Sequence, residues 1–248
     1  MAGHSKWANI KHRKSKADAQ KGKLFTRVAK EIINSVKLGG PDPKSNSRLR
    51  LAIQKAKDVN LPNDNIERLI KKASSADQEA YDEMQYELYG YGGVGIIVDV
   101  MSSNKLRTSA DIRIATNKRG GTIAHPGSVA FNFDRKGIIH VPKKNAIEAE
   151  LFETVTNAGA EDFTEEEESY IVICEPHDLL IVKEAISHLG FECKDASIEM
   201  IPKTYVECDA GNFKANLALI DWLENIDDVD DVFHNMKIPD DFVEDNDK

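Results

Sequence analysis

Residues 138–200 read IIHVPKKNAIEAELFETVTNAGAEDFTEEEESYIVICEPHDLLIVKEAISHLGFECKDASIEM, and the apolar spacing within them decides the fold class. Ile138-Ile139-His140-Val141 is a short apolar run, residues 170–174 are a second, and residues 193–200 read as a further strand. Between them the apolar period changes to three and four residues over 146–157, stopped at Gly159, and over 179–189, stopped at Gly190. Short apolar runs bounded by turn residues favour strands, whereas three-to-four-residue spacing favours amphipathic helices. The order is β-α-β-α-β, or β-α-β-β-α-β if residues 162–164 pair as a further strand, which is the order of a split βαβ sandwich.

The flanks carry the same kinds of element in incomplete sets. Residues 86–91 and 94–101 read as strand around Ile96-Ile97-Val98, residues 108–118 as a helix with Ile112 and Ala115 inward, and residues 128–133 as a half-buried strand alternating Val129, Phe131 and Phe133. Further on, residues 204–207 read as strand, 215–223 as helix and 229–235 as strand. Each flank supplies half a sandwich, so the two halves are expected to pair, with the central domain inserted between them. The expected architecture is α+β: a basic helical domain over 1–79, an α+β domain from 80–135 plus 204–238, an inserted ferredoxin-like α+β domain over 136–203, and an acidic tail over 239–248.

The first domain is read from three amphipathic stripes. Leu24, Phe25, Val28, Ile32 and Val36 form the first, ended by Gly39-Gly40-Pro41, which favour a left-handed cap and block continuation. Leu49, Ala52, Ile53, Ala56 and Val59 form the second, closed by Asn60 and Pro62; Ile66, Leu69, Ile70 and Ala73 form the third, with Asn63 or Asp64 as its cap. Residues 1–17, rich in Lys, His and Ser, have no apolar period and read as an arm.

Charge is sorted along the chain. The whole has 248 residues and a formal net charge of −9, yet residues 1–75 hold 18 Lys+Arg against 6 Asp+Glu, a net of +12. The remaining residues hold 15 against 36, a net of −21. A basic module joined to an acidic body is the footprint of a protein that meets a polyanion with one end. Three cysteines, Cys174, Cys193 and Cys208, with no C-x-x-C spacing, argue against a disulfide framework or a zinc knuckle and for a reducing compartment. No apolar run approaches the ~20 residues of a membrane helix, and the basic start has no apolar segment behind it to make a secretory signal. A cytoplasmic protein is expected.

Other motifs weigh little. Gly90-Tyr91-Gly92-Gly93-Val94-Gly95 is literally G-x-G-x-x-G, but it precedes an apolar run instead of opening a helix, so a Gly-rich turn into a strand is the better reading than a nucleotide site. The carboxylate clusters at 165–168 and 227–231 lack EF-hand spacing and read as solvated turns. The seven histidines stand in no H-E-x-x-H pattern, and no G-x-S-x-G is present. No catalytic group, metal site, cofactor or small-molecule substrate is expected from the residues.

Met1-Ala2-Gly3-His4-Ser5-Lys6-Trp7-Ala8-Asn9-Ile10-Lys11-His12-Arg13-Lys14 resembles the opening signature of the YebC/PmpR family, which includes the mitochondrial translational activator of cytochrome oxidase. The resemblance continues through Gly22-Lys23-Leu24-Phe25-Thr26, Asn46-Ser47-Arg48-Leu49-Arg50, Leu61-Pro62-Asn63-Asp64-Asn65-Ile66, Gly92-Gly93-Val94, Arg107-Thr108, Gly127-Ser128-Val129-Ala130-Phe131 and Ile201-Pro202-Lys203. Tyr91 stands where the family usually has Pro, Leu88 replaces a Gly, and Ala124-His125-Pro126 replaces a Gly-Glu-containing turn. The resemblance implies three domains, no catalytic site, and a regulatory role described as transcriptional through DNA, or for some members as promotion of translation on ribosomes. The residues expected to meet DNA, or alternatively ribosomal or messenger RNA, are Lys6, Trp7, Lys11, His12, Arg13, Lys14, Lys16, Lys21, Lys23, Arg27, Arg48 and Arg50. The cations would neutralise phosphates, and Trp7 and His12 would stack on exposed bases.

Overall fold

The computed structural model describes residues 21–75, 80–144, 146–193 and 195–239. Three helices come first: α1 (Lys21–Gly39), α2 (Ser47–Asp58) and α3 (Asn63–Ala73). There follow β1 (Asp82–Tyr89), β2 (Gly95–Ser102), α4 (Lys105–Arg119), β3 (Thr122–Ile123), β4 (Phe133–Pro142), α5 (Glu148–Asn157), β5 (Ala160–Glu165), β6 (Ser169–Cys174), α6 (Leu179–His188), β7 (Asp195–Pro202), α7 (Ala210–Glu224) and β8 (Val229–His234). The fold is α+β, with two four-stranded sheets ordered β3-β1-β2-β8 and β5-β6-β4-β7. The chain gathers into two compact units, one from residues 1–30, 76–134 and 201–248, the other from Glu31–Ser75 and Arg135–Met200. Among the described residues no helix is long and apolar enough to cross a membrane.

In the second unit, β4 to β7 run β-α-β-β-α-β, and residues 160–165 do supply the fourth strand. β6 pairs antiparallel with both β4 and β5. Side chains alternate across a pleated strand, so Ile139, Val141 and Val172 reach one face, where Leu151, Val155, Leu179, Val182 and Ile186 of α5 and α6 cover them. Burying each such aliphatic side chain stabilises by about 1.5–3 kcal/mol. The helices α1 and α2 meet through Asn46, whose side-chain carbonyl caps α2 by accepting from Leu49 N–H (3.0 Å) while its amide donates to Ser35 and Gly40 oxygens, both at 2.8 Å. Asn60, at φ 61, turns the chain out of α2, as its short amide side chain allows.

In the first unit, β2 lies between β1 and β8, so residues 82–102 and 229–234 share one sheet. Leu88, Ile96, Val98 and Val100 pack under Ile112 and Ala115 of α4 and Leu219, Ile220 and Leu223 of α7. Two sequence expectations change here. Residues 128–132 are not strand: the Glu87 carboxylate, itself buried, accepts the N–H groups of Gly127 (2.5 Å), Val129 (2.6 Å) and Ala130 (2.8 Å). Those donors are thereby lost to any ladder, and strand begins only at Phe133. Residues 204–207 shrink to one parallel bridge, Val206 with Met236. The Gly-rich stretch is a turn into β2, as expected: Gly92 and Gly93 have φ of 68° and 80°, and the buried Asn216 amide bonds both the N–H and the C=O of Tyr91.

Asp228 is the polar hub of this unit. Its carboxylate accepts from Ser102 Oγ (2.9 Å), Thr108 Oγ1 (2.8 Å), Arg107 Nη2 (2.6 Å) and Lys30 Nζ (3.3 Å). One side chain therefore joins α1, β2, α4 and the turn before β8. The aspartate run expected as a solvated turn is thus partly structural, because four donors converge on Asp228. Burial pushes the Asp228 carboxyl up, but the bonds from Arg107, Thr108 and Ser102 and the Lys30 charge outweigh it and hold the pKa at about 2.

Replacing this hub, Asp228→Asn, is expected to cost about 3 kcal/mol at neutral pH, since it leaves the buried Lys30 ammonium without its counter-charge. The folded-state pKa is depressed, so the ionic stabilisation exists above the unfolded value and fades as pH falls from about 4 towards 2. Urea melts of parent and variant across that range check this: the gap between them must close. For Glu87, burial raises the pKa but the three backbone donors bring it below the ordinary glutamate value. Glu87→Gln is expected to cost about 2 kcal/mol and to speed amide exchange at Gly127, Val129 and Ala130.

Candidate nucleic-acid interface

Of the residues expected to meet nucleic acid, Lys6, Trp7, Lys11, His12, Arg13, Lys14 and Lys16 lie outside the described residues, and Lys21 only opens α1. Lys23 and Arg27 fall in the first unit, Arg48 and Arg50 in the second. The two pairs stand in different electrostatic surroundings.

Lys23, Arg27 and Lys30 follow one another at steps of four and three residues, which sets them on one face of α1. That face meets the acidic segment that ends α7 and leads into β8. Lys30 is buried, and its three ammonium hydrogens are matched by Met101 O (3.1 Å), Asp227 O (2.9 Å) and Asp228 Oδ1 (3.3 Å). Arg27 forms an ion pair with Asp231, each side chain about a quarter exposed. Lys23 Nζ is shielded from solvent and donates no hydrogen bond among the described residues. Burial lowers its pKa, opposed by the charges of Glu224, Asp227 and Asp230.

Arg48 and Arg50 occupy the first turn of α2 and are exposed. That turn holds no acidic residue, so two guanidinium groups add to the positive end of the helix dipole. Arg50 Nη1 donates to Pro43 O (3.0 Å) and Lys44 O (3.1 Å), which fixes its direction against the loop. Sequence reasoning passed over the end of α3, where Arg68, Lys71 and Lys72 are exposed, and Lys37, whose Nζ donates to Ser75 O at 2.8 Å. Their i, i+3 and i, i+4 spacing was the available signal. Lys55, by contrast, is matched by Glu31 at 2.7 Å.

The turn from α2 to α3, residues 59–62, has the length found in helix-turn-helix modules. α3 nevertheless begins with Asp64 and Glu67, the wrong sign for a helix that enters a groove between phosphates. Cys193 and Cys208 lie in links belonging to different units, and all three cysteines are free. Burial pushes Cys174 up to about 12 and Cys193 up to about 11, so both stay protonated.

Comparison with known proteins agrees with this architecture. Residues 5–76 match the family model of the TACO1/YebC protein N-terminal domain, and residues 81–236 match that of the TACO1/YebC second and third domain. A protein of Protochlamydia amoebophila named "Probable transcriptional regulatory protein" is 67% identical over 239 residues, covering 96% of this chain and 98% of that one. A protein of the same name from Chlamydia muridarum is 60% identical over 237 residues, covering 95% and 100%. The crystal structure of a conserved hypothetical protein from Aquifex aeolicus superposes with a TM-score of 0.84 at 41% identity, covering 96% of this chain and 99% of that one. In sequence and in fold, along nearly its whole length, this chain belongs to the TACO1/YebC family.

Proposed function

We propose that this protein is a nucleic-acid-binding regulator of transcription that grips the phosphate backbone through its basic N-terminal module. The observation that carries this is the partition of charge, +12 over residues 1–75 against −21 over the remainder. Lysines and arginines concentrated at one end release counterions on meeting a polyanion, while the acidic body is repelled and confines the encounter to that end. The exposed Arg48 and Arg50 at the positive end of α2 support the reading, and so do the names of the relatives.

A second reading has its own support. The acidic start of α3 disfavours base readout in a major groove, and phosphate contacts alone carry no sequence information. The same module on ribosomal or messenger RNA, recognised by shape and backbone, would make the protein an activator of translation.

Reversing Lys11, Arg13, Lys14 and Lys16 to Glu together is expected to abolish binding to both duplex DNA and structured RNA in a fluorescence anisotropy titration. The parent's affinity should fall by about 10³-fold or more between about 50 and 200 mM salt if six or more phosphates are neutralised. Binding that survives the reversals, or that ignores salt, refutes the assignment of the module.

A further inference from the structure

We infer that the acidic segment from Glu224 to Asp231 is an intramolecular polyanion that occupies Lys23 and Arg27 and competes with nucleic acid for them. This rests on the proposed function, because the competitor is the same phosphate backbone.

The three cations on the shared face of α1 divide into two kinds. Lys30 has a carbonyl or carboxylate oxygen for every ammonium hydrogen and is built into the Asp228 hub. It is structural and stays in place. Arg27 and Lys23 are held differently. The Arg27–Asp231 pair is partly exposed, a geometry in which attraction is screened by salt and contributes little net stability. Lys23 is surrounded by the charges of Glu224, Asp227 and Asp230, yet its ammonium donates no hydrogen bond among the described residues. A shielded ammonium that the described residues leave without an acceptor is unfavourable, and a phosphate oxygen would supply one.

The acidic segment thus pairs with Arg27 but gives Lys23 the ligand's charge without a hydrogen bond among the described residues. Short polyanions meet a face already neutralised. Only a nucleic acid already held by the cations of residues 1–20 gains the high local concentration needed to take over Lys23 and Arg27. The device therefore sets a threshold for stable binding and raises selectivity for extended polyanions over short ones.

The test uses the full chain and two fluorescent probes, about 20 base pairs of duplex DNA and about 20 nucleotides of single-stranded RNA. Asp230→Asn/Asp231→Asn leaves the Asp228 hub intact. It is expected to bind about tenfold tighter than the parent at about 50 mM salt, with a slope of log affinity against log salt steeper by roughly one to two, about one for each additional phosphate neutralised. Glu167→Gln/Glu168→Gln removes the same formal charge from exposed positions on the β5–β6 turn and is expected to change affinity less than twofold. Adding Lys23→Gln and Arg27→Gln to the first variant should return it to the parent's affinity. Asp231→Asn alone, the milder substitution, should move the same way with a slope change of about one. Equal affinity of parent and Asp230→Asn/Asp231→Asn overturns the inference and leaves the functional reading standing, as does an equal rise in affinity in the Glu167/Glu168 control. Absence of salt-dependent binding in every variant refutes the functional reading, and the inference with it.

Discussion

The packing of α1 against Asp228 is the constraint on which the rest of the first unit depends. Asp228 draws Lys30, Ser102, Arg107 and Thr108 to a single carboxylate, so one turn fixes α1 against the sheet and α4. Low local dielectric makes such a site stable only when every partner is present. That requirement explains why one aspartate of the 227–231 cluster sits buried, while Asp227 and Asp230, and Asp231 opposite Arg27, act on the cations beside them.

Charge sorting acquires a second meaning from this arrangement. Along the polymer, the basic head and acidic trunk are separate. In the fold, the trunk's aspartate-rich segment touches the first helix of the head, and the cations closest to it are partly neutralised. The head also keeps exposed cations on α2 and α3, Arg48, Arg50 and Lys57 on the one, Lys71 and Lys72 on the other. Under the proposed function, net charge describes steering towards a polyanion, while local pairing would decide which side chains complete the encounter.

Much of the fold was legible because it rests on periodicity. Ile96-Ile97-Val98 and the 170–174 run are strands buried on both faces, and Gly40, Asn60 and Gly190 mark chain reversals through positive φ. The misreadings have physical causes. Val129, Phe131 and Phe133 alternate as a strand would, but Glu87, some forty residues away in sequence, captures the backbone donors. β3 is two residues long, too short to leave a period. At the candidate interface, residue type and spacing identified cations, but no sequence pattern reveals that Arg27 has a carboxylate 204 positions further on. Tyr91 shows the converse: where the family usually carries Pro, its N–H is present and donates to Asn216, a bond that Pro cannot make.

The most direct test of a phosphate-binding head on an acidic body is ultraviolet crosslinking in living cells, with both the recovered nucleic acid and the crosslinked peptides identified. Attachment is expected within residues 1–30 and on α2, with peptides of the acidic β5–β6 turn unmodified. Crosslinks concentrated on the acidic body, or nucleic acid recovered no more often than with an unrelated acidic protein, would contradict it.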